Sequence, residues 1–186
     1  MFLEVNRSLT DFLNDVTDGV NAQLDIMTTE GLFDAGDSQP ADIDTIVDET
    51  RDLEVARRSP PLEASGDDKP SLSVFIIETV PFGAPGISGG SAEVAQGTRE
   101  ITIQLAIRYY IHQPETNEAF RDAYYYARAV AKTIKAFNRN QTARTRNNVV
   151  FRQMTDMRFE PIFQDQDFGG LVWFYFLTYT IRDQRP

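Results

Sequence analysis

The stretch Glu100–Ile111, EITIQLAIRYYI, decides the fold. Its odd positions, Ile101, Ile103, Leu105, Ile107, Tyr109 and Ile111, are all apolar. Its even positions, Glu100, Thr102, Gln104, Ala106 and Arg108, are polar or small until Tyr110 breaks the pattern. Side chains along a strand alternate between faces, so the pattern predicts a long strand with one face in a core and one wetter face.

The neighbours of this stretch set the architecture. Before it, Ser71–Val80 (SLSVFIIETV) is rich in strand formers and begins just after Pro70. The Gly-rich run Pro81–Gly97 lies between the two strands. It lacks both the GK[ST] ending of a phosphate loop and a helix directly behind it, which favours a hairpin loop or flexible arm. After the central strand, Pro114 suits the first turn of a helix, and Glu115 and Glu118 suit its positive end. Phe120, Ala123, Tyr124, Ala127, Ala131 and Ile134 then define a buried stripe out to about Phe137. Asn138–Asn148 is a polar, basic connector.

Val149–Phe163 reads as a third strand, with Val149, Phe151 and Gln153 on one side and Val150, Arg152 and Met154 on the other. Pro161 ends this strand or marks it as an edge. Leu171–Arg182 is the last strand, apolar on both faces in its first half. Such a strand is covered on both sides, so one face meets helices. The other, with Val172, Phe174 and Phe176, meets a partner or an extended arm. The order helix, strand, strand, helix, strand, strand predicts an α+β fold: a mostly antiparallel sheet of about four strands, helices packed on one face, and a long acidic insertion.

The leading helix is predicted over about Ser8–Met27, with Phe2–Val5 as a leading extension, because Leu9, Phe12, Leu13, Val16, Val20, Leu24 and Met27 recur at three- and four-residue steps. Ser8 is its expected N-cap, with Asp11 completing a weak capping box. Thr28–Lys69 then turns Gly-, Pro- and acid-rich. Within it, Ile43, Ile46, Val47 and Leu53 suggest one short helix with acidic flanks, and the rest reads as a mobile loop or as an arm ordered against another subunit. Asp42, Asp44, Asp48, Glu49, Asp52 and Glu54 are its candidate partner-facing acids.

Residues 1–186 fit one domain with 28–69 as an insertion or arm, and the 41% hydrophobic content suits a sizeable core. No run is long and apolar enough to span a bilayer, and MFLEVNRSLTDFLNDV lacks the basic start and apolar block of a signal peptide. The expectation is a protein without membrane contact. The absence of cysteine excludes disulfides and thiolate sites, and a single histidine, His112, is too few for most zinc sites.

The net charge of −10 is unevenly placed. Residues 1–70 hold 17 acids and 5 bases, net −12, whereas residues 71–186 hold 11 acids and 13 bases, net +2. Arg121–Arg158 alone carries 9 bases against 2 acids. Within it Arg121, Arg128, Lys132, Lys135 and Arg139 fall in one sector of the predicted helix, opposite its apolar stripe. This stripe is either an ordinary solvated face or a surface for something acidic, such as a neighbouring copy's insertion or passing nucleic acid.

No catalytic or metal-binding constellation emerges, and no cofactor is expected. Asp67–Asp68 and Asp165–Gln166–Asp167 lie in polar, turn-like sequence without the apolar pocket that acid–base work needs or the rest of a calcium loop. No GxSxG, HExxH, CxxC or GxGxxG motif stands in a strand–helix setting. It does not read as an enzyme.

The layout resembles the tail terminator or tail-completion proteins of tailed bacteriophages. The resemblance rests on the order and character of SLTDFLNDVTDGVNAQL, a variable insertion, SLSVFIIETV, REITIQLAIRYYI, NEAFRDAYYYARAVAKTIKAF and two aromatic-rich closing strands. It implies a non-enzymatic virion protein that forms a ring, commonly a hexamer, at the head-proximal end of the tail. The implied partners are further copies of itself, the tail tube protein, the neck or connector protein, and genomic DNA in passage. Two alternatives stand beside it: another neck or connector protein of similar fold, and a small ligand-binding module using the aromatic face of the last strand.

Overall fold

The computed structural model describes residues 2–34, 36–43, 45–48, 71–81, 98–110, 116–165 and 170–183. In chain order these form α1 (Phe2–Leu13), α2 (Val20–Thr29), β1 (Thr45–Asp48), β2 (Ser71–Pro81), β3 (Thr98–Tyr110), α3 (Thr116–Arg139), a single 3-10 turn (Ala143–Thr145), β4 (Val149–Asp165) and β5 (Gly170–Asp183). The sheet order is β1-β2-β3-β5-β4. The four expected strands pair antiparallel, and the short β1 adds a parallel edge against β2. The fold is α+β, with the helices packed on one face.

The alternation of β3 sets the two faces. Ile101, Ile103, Leu105 and Ile107 are buried, and opposite them in register stand Tyr179, Leu177, Tyr175 and Trp173 of β5, also buried. Leu72 and Val74 of β2 extend this row on the other flank. Phe137 of α3 ties the layers together, with edge-on ring contacts to Phe12 of α1 at 5.2 Å, Phe151 of β4 at 5.1 Å and Tyr179 at 6.2 Å. Tyr126 stacks on Trp173. The polar ends of the buried tyrosines have partners: Tyr175 Oη donates to the Ala127 carbonyl at 2.6 Å, and Tyr179 Oη bonds the Asn138 side chain at 3.0 Å.

Several expectations change. The leading helix is two helices. Asn14, Asp15, Thr17 and Asp18 offer side-chain bonds that compete with helix continuation, and the Asp15 carboxylate accepts from the amides of Thr17 (2.9 Å) and Asp18 (3.1 Å). Gly19 then opens α2 where a Cβ would stand 2.3 Å from the Asp15 carbonyl oxygen. Val16, expected on the apolar face, lies in this turn and is 93% exposed. Ser8 is no cap: it lies inside α1, buried, with Oγ donating to the Glu4 carbonyl and accepting from Asn147.

The short helix expected from Ile43, Ile46 and Val47 is also overturned, since Thr45–Asp48 is strand β1; Leu53 lies outside the described residues. In α3 the buried face is rotated relative to the expected stripe. Ala123, Ala127, Ile134 and Phe137 are buried as expected, but Phe120 and Tyr124 are exposed, and Tyr125, Tyr126 and Val130, outside that stripe, are buried. β4 does not alternate as expected: register shifts between Phe151 and Gln153 and between Met154 and Asp156 turn Gln153 outward and bring Met154 against the core. Pro161 sits on this edge strand without ending it, beside a third shift.

Candidate functional site

The second buried side of α3 explains the rotation, and it is also where the basic stripe goes. After α2 the chain runs back along α3 in segment 30–43. Lys132 Nζ meets Glu30 at 3.0 Å, Arg128 donates to the Leu32 carbonyl at 3.3 Å, and Arg121 pairs with Asp37 at 3.0 Å. As segment numbers rise from 30 to 37, helix numbers fall from 132 to 121, so the two run antiparallel. Tyr125 lies between these pairs: its Oη donates to Asp37 Oδ2 at 2.7 Å and accepts from the Asp34 amide at 3.1 Å, and Phe33 packs edge-on to its ring. Tyr126 Oη donates to the Ala41 carbonyl, and Asn21 of α2 holds the Ile43 backbone through both its side-chain atoms.

This geometry shifts Tyr125. The Asp34 amide favours its phenolate, but burial, the hydrogen bond to Asp37 and the two nearby carboxylates outweigh that and raise its pKa above the ordinary tyrosine value. Burial alone raises Tyr175, and it raises Tyr179 despite opposing help from Asn138 and Arg144.

Three members of the stripe are therefore engaged by the chain's own segment. The remaining two, Lys135 and Arg139, are exposed on the last turns of α3 and pair with no described residue. They continue into a corner formed by the basic connector 138–148 and the start of β4, whose charge the sequence shows but whose place beside the end of α3 it does not. Arg144 of the 3-10 turn donates to the Asn138 carbonyl at 3.2 Å, to the Phe151 carbonyl at 2.6 Å and to the Arg152 carbonyl, joining the end of α3 to the start of β4. Asn147 and Asn148 follow in left-handed backbone (φ 55° and 61°), which Asn tolerates, and turn the chain into β4. Arg146 and Arg152 are exposed at this corner. From Thr133 to Thr155 the chain has five bases and no acid.

On the far face of the sheet, Phe174 and Phe176 are half-buried, 6.2 Å apart, and the Arg158 guanidinium stands 4.6 Å over the Phe176 ring. The Val172 side chain lies outside the described residues. Of the candidate acids, Asp42 is exposed in segment 30–43 and Asp48 ends β1; Asp44, Glu49, Asp52 and Glu54 lie outside the described residues, as does His112. Among the described residues no group of three acids or histidines is placed to hold a metal ion, and no helix is long and apolar enough to cross a membrane.

Compared with known proteins, the chain matches no family model and no curated sequence. The candidate site is thus a pair of surfaces defined by charge: acidic segment 30–43 with α2, and the basic corner. Sequence counting found both signs but could not tell that three of the five stripe members are satisfied within the chain, because nothing local encodes which acid reaches which base.

Proposed function

We propose that this chain is a structural virion protein of a tailed bacteriophage, a ring of about six copies at the head-proximal end of the tail. The ring ends the tail tube, joins it to the neck or connector protein, and encloses the path of genomic DNA. The observation that carries the reading is the architecture: antiparallel strands in the order that the resemblance implies, with helices confined to one face. The uneven charge supports it, because a cyclic ring requires each subunit to present two different, mutually complementary surfaces. No catalytic role is assigned to any residue.

Mass by light scattering on the purified chain, followed by negative-stain imaging and binding to purified tail tubes, tests the reading. A closed ring, free or on the tube, is the expected result. A monomer that also fails to bind tubes would sink it.

A further inference from the structure

Between Asp11 and Asp42 the chain holds eight acids and no base, and between Thr133 and Thr155 five bases and no acid. The fold spends only part of this opposition on itself. Glu30 and Asp37 pair with Lys132 and Arg121, but the side chains of Asp34 and Asp42 remain exposed beside the N-terminal half of α3. Lys135, Arg139, Arg146 and Arg152 remain exposed at its other end, with no ion pair to any described residue. Asp34 and Ala41 meet α3 at Tyr125 and Tyr126, 9 to 14 residues before Lys135 and Arg139, so at about 1.5 Å per residue the acidic and basic patches are separated by roughly 14–21 Å. That is too far for them to neutralise one another across water, where screening acts within about 10 Å.

We propose that the basic corner of one copy, Lys135, Arg139, Arg146 and Arg152, docks on the acidic segment of the next copy at Asp34 and Asp42. The occupant is a second copy of this chain because that copy offers the matching charge on its own described surface. The contact joins two different surfaces, so it is head-to-tail and can close into a ring. The inference rests on the ring reading and names its subunit interface. Arg144 is not part of the contact surface: its guanidinium is used up on the Asn138, Phe151 and Arg152 carbonyls, and it positions the corner.

Charge exchange between two variants of the full chain tests this. One variant carries Lys135→Glu and Arg139→Glu; the other carries Asp34→Lys and Asp42→Lys. All four side chains are exposed or unpaired, so both variants should keep the wild-type thermal midpoint. Each alone places like charges across the contact and should associate at least about tenfold more weakly than wild type, read by light scattering over a concentration series. An equimolar mixture restores opposite charges at every contact and should recover the wild-type mass. Assembly of either variant alone at wild-type strength overturns the proposal while leaving the ring reading intact. Loss of assembly without recovery in the mixture also overturns it. A wild type that stays monomeric at the highest attainable concentration overturns it too, and tube binding then decides the ring reading separately.

Discussion

Asp37 accepts from two groups of α3 at once, Arg121 through one carboxylate oxygen and Tyr125 through the other. Replacing Asp37 with Ala removes both bonds and leaves a buried phenol without its acceptor, so it should cost about 1–3 kcal/mol in urea unfolding. Arg121→Ala removes partly exposed pairs with Asp37 and Asp122 and should cost about 0.2–1 kcal/mol, less at high salt. Three buried tyrosines, Tyr125 of this cluster among them, set the alkaline limit. Tyr125, Tyr175 and Tyr179 all have folded-state pKa values above that of an unfolded tyrosine, so the stability they contribute is complete below about pH 10 and is lost as pH rises past it. Urea midpoints should therefore fall between pH 8 and pH 11, and Tyr125→Phe should reduce the slope. An unchanged midpoint over that range would contradict the assignment. At this scale the sequence was only half legible: Arg121, Arg128 and Lys132 were visible as one stripe, but their partners lie 84 to 102 residues away in the chain.

At the scale of elements, legibility followed the strength of the period. β3 alternates cleanly, and its buried side is the one expected. β5, apolar on successive positions, is a strand as its pattern predicts, with Leu171, Trp173, Tyr175, Leu177 and Tyr179 buried on one face. The misreadings have physical causes. α3 is covered on two sides, by the sheet and by segment 30–43, so a single apolar stripe could not describe it. β4 carries bulges, and each added residue reverses the face that follows. The break between α1 and α2 is enforced by close backbone approach at Gly19, which periodicity of apolar residues does not register. Gly19→Ala should therefore destabilise by about 1–3 kcal/mol although the residue lies in a turn. Phe137→Ala should cost about 3–5 kcal/mol, because its ring meets α1, β4 and β5 together. Chemical denaturation checks both, and a cost below 1 kcal/mol for Phe137→Ala would mean that the layers do not depend on that junction.

Taken whole, the molecule joins an α+β core to two surfaces of opposite sign. The sign asymmetry was legible in residue counts, since segment 1–70 is net −12 and the rest net +2. The division between charge satisfied inside the chain and charge left for a partner was not, because it depends on how far segment 30–43 reaches along α3. A head-to-tail assembly held by the remaining charges should weaken as ionic strength rises, whereas one held by apolar surface should not. The most direct measurement is the mass of the purified chain by light scattering at low salt, with the same sample imaged in negative stain and offered purified tail tubes. A closed ring of about six copies, free or seated on the tube end, is the expected result. A monomer that leaves the tubes bare would contradict it.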